Sequence, residues 1–192
     1  PRTGDLFTPL HFAVKGGHIS NLEYLLDQGC SLNQKTPLLG LTALHIAVLE
    51  NQPKMVEYLV QYRQFNINST DQNGNTALQY LMMGSENQSV PTEESQDIAT
   101  ILIKYGADVN LKNSNKITPL LNALLKNNLL WAFHFCSLSK IKFDDIELSE
   151  FNRCILHFVN NSNIDLLIFM TKEQKILEKI IDHQDKYKLT PL

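Results

Sequence analysis

The sequence predicts an all-α repeat solenoid, built from stacked helix-turn-helix units joined by β-hairpin fingers. Three observations predict it. Thr8-Pro9-Leu10-His11 recurs as Thr42-Ala43-Leu44-His45 and as Thr76-Ala77-Leu78-Gln79, each copy 34 residues after the last. A second signature keeps the same phase, with Asp27-Gln28-Gly29-Cys30-Ser31-Leu32-Asn33 matching Lys104-Tyr105-Gly106-Ala107-Asp108-Val109-Asn110. Between them, Asp71-Gln72-Asn73-Gly74-Asn75-Thr76 is a tight-turn signal that runs directly into a residue able to cap a helix. A unit this small cannot bury its own apolar side, so it must share an interior with its neighbours.

Each element has a local reason. Pro9, Pro119 and Pro191 stand at the first helical position, where a missing N–H costs nothing. Leu10, Ala13 and Val14 fall on one helical face, as do Leu44, Ala47 and Val48, and the small alanines allow close approach of paired helices. Gly29 and Gly106 suit left-handed caps at the ends of the outer helices. The first repeat (5–37) is expected to hold helices near 9–16 and 19–28, and the second (38–71) near 43–50 and 53–62. The third (72–113) should hold an inner helix near 77–83 and an outer one near 97–105, separated by an exposed inserted loop at 84–96. Weaker copies at Thr118-Pro119-Leu120-Leu121 and Cys154-Ile155-Leu156-His157 mark a fourth repeat (114–149) and a fifth (150–185). A sixth begins over 186–192 with Thr190-Pro191-Leu192. The register is hardest to place after residue 138, and Lys116, Leu121 and Cys154 together mark the fourth-to-fifth junction as the least stable.

Composition narrows the function. The 192 residues are 43% hydrophobic and 19% charged, with a net charge of −3 and a pI near 6.1, which favours neither a nucleic-acid nor an anionic-membrane partner. Three cysteines at irregular spacing, Cys30, Cys136 and Cys154, argue for a reducing compartment, hence the cytoplasm with the nucleus as alternative. No apolar run approaches the roughly 20 residues that span a bilayer. No signal peptide is visible, and both ends read as cut points in a longer chain.

In-phase Thr-Pro-Leu-His, Gly17-His18, the outer run Leu22-Glu23-Tyr24-Leu25-Leu26, then Gly29 and Asn33, resemble the ankyrin repeat family over nearly the whole chain. The resemblance implies a non-catalytic module that binds a protein or peptide on its concave face, as a monomeric array without cofactor. It also implies that His11, His45 and His157 tie together the backbones of adjacent repeats. The alternatives left open are a regulatory or targeting segment of a larger enzyme or ion channel, and a cytoplasmic inhibitor of a transcription factor.

Candidate contact residues are motif positions that the fold does not need. On the inner helices they are Phe12, Lys15, Ile46, Leu49, Glu50, Tyr80 and Met83, with Phe12, Ile46 and Tyr80 expected to form an apolar stripe one residue past the motif histidine position. On the fingers they are Lys35, Leu38, Leu39, Asp71, Asn73, Asn75, Asn115 and Lys116. Ser89, Thr92 and Ser95 beside Glu93-Glu94 are candidate phosphate acceptors. Asn110 lies in a segment similar to ankyrin segments hydroxylated on asparagine. Trp131, Phe133 and Phe135 belong either to the inter-repeat core or to an exposed contact patch. His134, Cys136, Cys154 and His157 are residue types that zinc accepts, but their spacing fits no standard site, and no metal or catalytic centre is expected.

Overall fold

The computed structural model describes residues 6–62, 65–83, 92–125 and 131. The chain divides into two compact units, Pro1–Lys140 and Ile141–Leu192, and every described residue lies in the first. The readings placed on His134, Cys136, His157, Cys154, Phe133, Phe135 and the fifth and sixth repeats therefore lie outside the described residues.

Among the described residues seven helices alternate between two layers. The inner layer is α1 (Pro9–Lys15), α3 (Ala43–Leu49), α5 (Ala77–Met83) and α7 (Pro119–Leu125); the outer layer is α2 (Ile19–Asp27), α4 (Pro53–Val60) and α6 (Glu93–Lys104). Each inner helix packs on the next, α1 on α3, α3 on α5 and α5 on α7, while α4 packs on α6. The core is thus a row of junctions rather than one centre. Leu10, Leu22, Leu44, Met55, Leu59, Leu78, Ile98 and Leu102 are fully buried along it. Trp131 is buried as well, which places it in the core and not on a patch.

The inner helices begin alike because the same residues cap them. Thr8 and Thr42 form capping boxes with His11 and His45 at the third helical position. In the third repeat Gln79 takes the histidine's place: its Oε1 accepts from the Thr76 N–H at 2.9 Å, and its own N–H donates to Thr76 Oγ1 at 3.3 Å. Thr118 caps α7 by accepting from the Leu121 N–H at 3.2 Å, a bond the apolar Leu121 side chain cannot return.

The outer helices end as expected where glycine is present. Gly29 (φ +87°) and Gly106 (φ +92°) are left-handed, and the following Cys30 and Ala107 donate back to Leu25 and Leu102 in Schellman motifs. The turns inside the first and second repeats also use positive φ. Gly17 supplies it in the first repeat and Asn51, the rare non-glycine type that tolerates it, in the second.

Two expectations need correction. The outer helix of the third repeat starts at Glu93, four residues earlier than the sequence suggested, because Thr92 is its N-cap and Glu93 and Glu94 sit in the first turn where the helix dipole favours acids. Ser95 is therefore not a loop hydroxyl. It is buried in the first turn and donates to the Thr92 carbonyl at 2.8 Å, so it is closed to a kinase. Ser89 lies outside the described residues. The fingers are also turns rather than laddered hairpins among the described residues, since the single bridge is the isolated pair Thr70 and Thr76.

Candidate protein interface

The fingers are built by one side chain each. In the second finger Asp71 Oδ1 accepts from the Asn73 and Asn75 N–H groups at 2.8 and 2.7 Å, and the Asp71 N–H closes the turn on the Asn75 carbonyl at 2.9 Å. Asp71 Oδ2 takes the Tyr80 hydroxyl at 2.7 Å and the Asn75 amide at 3.2 Å. Asn113 does the same work in the third finger, accepting from the Asn115 and Ile117 N–H groups at 3.0 Å each. Thr36 does it in the first, where its hydroxyl accepts from the Leu41 N–H at 3.0 Å.

Neighbouring fingers then bond to one another. Gln72 N–H donates to Leu39 O at 3.0 Å and Ser114 N–H to Asn73 O at 2.9 Å. The Asn113 amide donates to Asn75 Oδ1 at 2.8 Å, and Lys35 Nζ donates to Thr70 O at 2.6 Å. Below the fingers His45 and Gln79 bridge to the next repeat, as the resemblance implied for His45, while His11 bonds to Gln34 near the end of its own repeat. His11 Nε2 meets the Gln34 carbonyl at 3.2 Å, His45 Nε2 meets that of Asn75 at 2.9 Å, and Gln79 Nε2 donates to Leu111 and Ile117 at 3.2 and 2.7 Å. Burial lowers the His45 pKa below the ordinary 6.5; the Asn75 bond and Asp71 oppose that shift, and Lys35 adds to it.

With these bonds assigned, several candidate contact residues are spoken for. Ile46 is 2% exposed, and Asp71 and Asn75 are buried. The expected stripe of Phe12, Ile46 and Tyr80 is not a partner-facing stripe. Ile46 is buried, and the Tyr80 ring stands edge-on to His45 of the preceding repeat with centroids 5.4 Å apart. Phe12 is 61% exposed, its ring edge-on to that of Phe7 with centroids 5.6 Å apart. The candidates that keep exposed surface are Leu49 and Glu50, the half-buried Lys15 and Met83, Leu38 with the half-buried Leu39, and Asn73, Asn115 and Lys116 at the fingers, together with Lys35, which is exposed but bonded to Thr70. Lys15 lies 4.0 Å from Glu50 and over the Phe7 ring. Gln72 and Ser114 are exposed beside Asn73 and Asn115 and belong with them. The signal for them was available, since each directly precedes an asparagine at a turn tip. Asn110 is half-buried, with its N–H donating to Asp108 Oδ1 at 2.9 Å.

Among the described residues no cluster of His, Cys, Asp and Glu could hold a metal, and no helix is long and apolar enough to cross a membrane.

A family model for ankyrin repeats matches three copies over residues 10–113, more than half of the sequence. The chain belongs to the ankyrin repeat family. Among ankyrin proteins it is 38% identical over 106 residues to the ankyrin repeat and SOCS box protein 6 of Mus musculus, a match covering 54% of this chain and 23% of that protein. It is 32% identical over 128 residues to the ankyrin repeat protein FPV031 of Fowlpox virus (strain NVSL), covering 65% of this chain and 35% of the relative. The chain thus spans about a quarter to a third of the length of these relatives. Its backbone resembles the ankyrin repeat domain of Bcl-3, a member of the IkappaB protein family, with TM-score 0.51 and 28% identity over 59% of this chain and 46% of that one. Ankyrin repeats are in general non-enzymatic modules for protein–protein interaction.

Proposed function

We propose that this ankyrin array is a recognition module that docks a protein or peptide partner on its concave side, across the finger tips and the C-terminal ends of the inner helices. One observation carries the reading. Leu38 and Leu49 are 55% and 51% exposed although both belong to an internal repeat with neighbours on either side. In α3 every residue from Ala43 to Val48 is buried, and exposure begins abruptly at Leu49. Stacking does not require leucine there, and water does not favour it. Exposed aliphatic anchors rimmed by Lys15, Glu50, Asn73, Asn115 and Lys116 are suited to a partner with an apolar centre and a polar edge.

The module works as a monomeric array in a reducing compartment, the cytoplasm or nucleus, in keeping with the free thiol of Cys30. It acts without cofactor or catalysis. A regulatory or targeting segment within a larger protein is the second reading, favoured by the much greater length of the curated relatives.

The test compares three forms of the chain as bait, with bound proteins identified by mass spectrometry. Leu38→Glu with Leu49→Glu should lose the proteins captured by the unaltered chain while keeping the helical circular dichroism. Tyr62→Glu, an equally exposed change on the segment following the outer helix α4, should keep them. Capture that survives the leucine pair and fails with Tyr62→Glu would move the interface to the convex side.

A further inference from the structure

Charge is sorted by layer. Among the described residues the outer helices carry Glu23 and Asp27 on α2, Glu57 on α4, and Glu93, Glu94 and Asp97 on α6, all exposed, against Lys54 and Lys104. The inner helices and fingers have the opposite balance, with Lys15, Lys35, Lys112 and Lys116 against Glu50 and Asp71. Both of those acids are engaged within the fold. Asp71 is buried with four hydrogen bonds on its carboxylate, and Glu50 lies 4.0 Å from Lys15. Asp108, in the segment leading from α6 to the third finger, accepts from the Asn110 N–H at 2.9 Å. The finger row is therefore positive, with Lys35 exposed on the first finger and Lys116 on the third. Lys112 directly precedes Asn113 as Lys35 directly precedes Thr36, so the first and third fingers repeat one lysine at their base. The row is continuous, because Gln72 bonds to Leu39 and Ser114 to Asn73.

Neither exposed lysine needs its charge to shape the turn. The ammonium of Lys35 reaches only the Thr70 carbonyl, an exposed bond that a neutral amide could also make. Lys116 closes its turn through the backbone N–H, at a φ of +60° that glycine would adopt without strain. We infer that the segment bound across the fingers is an acidic stretch of a partner protein, whose carboxylates meet Lys35 and Lys116 and whose aliphatic side chains meet Leu38 and Leu49. The inference rests on the finger-tip interface proposed above and adds the sign of the partner. Complementary charge speeds encounter and fixes register, and the acidic outer layer repels the same segment from the other side. A nucleic acid is also an anion, but the surface beside these lysines is aliphatic. No finger residue is aromatic to stack a base, and no arginine stands among the described residues to grip a phosphate with two bonds.

The experiment selects a random peptide library displayed on phage against the unaltered chain, then measures affinities of the selected peptides by fluorescence anisotropy. They should be rich in aspartate and glutamate beside leucine, isoleucine or valine. Their binding should weaken as salt rises from about 50 mM to about 500 mM. Replacing their acids by the corresponding amides should weaken binding to the unaltered chain about tenfold. Lys35→Glu with Lys116→Glu should weaken it about tenfold or more, and the same pair changed to glutamine by less. Lys54→Glu with Lys104→Glu makes the same charge change on the outer helices and should alter it by less than about twofold. Peptides without acidic bias that are lost with Leu38→Glu and Leu49→Glu would overturn the inference and leave the interface standing. Peptides indifferent to the finger lysines and to both leucines would overturn the two together. A library that yields no binder, or a labelled single-stranded oligonucleotide that binds more tightly than the best peptide, would overturn the acidic protein segment.

Discussion

The Nε2 of His45 and the N–H of Asp71 both donate to one oxygen, the main-chain carbonyl of Asn75, each at 2.9 Å. The imidazole of one repeat therefore holds the closing bond of the next finger. Its tautomer is set from the other side, because Nδ1 accepts from the Thr42 N–H at 3.2 Å and so the proton sits on Nε2. Protonating Nδ1 would place donor against donor in a buried site.

The array should accordingly lose stability in mild acid. The folded-state pKa of His45 lies below the unfolded value of 6.5, so the unfolded chain takes up the proton first as pH falls. The stabilisation is complete above about pH 6.5 and declines as pH falls through and below that value. His45→Gln should flatten this part of the profile, since Gln79 already performs both hydrogen-bonding tasks with an amide that does not titrate. Urea midpoints between pH 5 and 8 (roughly the window in which histidine changes charge) would show it. An equal slope in the variant would assign the acid sensitivity elsewhere.

Asp71 should matter more to stability than its place on a finger suggests. Its carboxylate accepts four hydrogen bonds while buried, so Asp71→Ala strands several donors and should cost about 2–4 kcal/mol. Asp71→Asn should cost clearly less, about 1 kcal/mol, because Asn113 folds the next finger with a single amide oxygen. Chemical denaturation of the two variants would decide. Equal losses would mean that the charge, rather than the acceptor geometry, is what the finger uses.

The glycines separate two effects that are usually mixed. Gly29 and Gly74 both have positive φ, but a Cβ on Gly29 meets nothing within 4 Å, whereas one on Gly74 would stand 2.7 Å from the Ser114 nitrogen of the next finger. Gly29→Ala should cost about 1 kcal/mol of backbone strain. Gly74→Ala should cost that and more, about 3 kcal/mol, and should weaken the Ser114-to-Asn73 bond as well. Thermal denaturation of the pair, with amide exchange at Ser114, would separate conformational strain from the lost contact.

Much of this was legible because repeats write their physics more than once. The 34-residue phase of Thr8, Thr42 and Thr76 located the inner helices, Gly29 and Gly106 located two outer-helix ends, and the histidine slot located the inter-repeat bridge. Ile46 was misread because a position in a helical period says which face it lies on but not whether a neighbouring repeat covers that face. The start of α6 was missed although its cap was written plainly: Thr92 is followed by two acids and then Ser95, whose N–H the Thr92 hydroxyl accepts at 3.3 Å. The polar loop before it masked the signal. Leu38 and Leu49 were legible as candidates, but only their exposure within an internal repeat distinguished them from Ile46.

Lys116 stands where the second finger has Gly74, 42 residues later, and it adopts φ +60°. Its N–H donates to the Asn113 carbonyl at 2.8 Å, so the turn is closed correctly by a residue that pays steric strain to close it. Glycine removes that strain, about 1–2 kcal/mol, and returns about 0.5–1 kcal/mol of it as extra chain entropy in the unfolded state. Lys116→Gly should therefore stabilise the array by about 0.5–1 kcal/mol. Lys116→Ala keeps the Cβ and should leave stability near that of the parent, while Lys116→Asn, better tolerated at positive φ, should fall between the two. The ordering Gly above Asn above Ala in urea midpoint is the signature of backbone strain. A gain shared equally by glycine and alanine would instead trace the effect to the lysine side chain, and would count Lys116 among the residues kept for a partner.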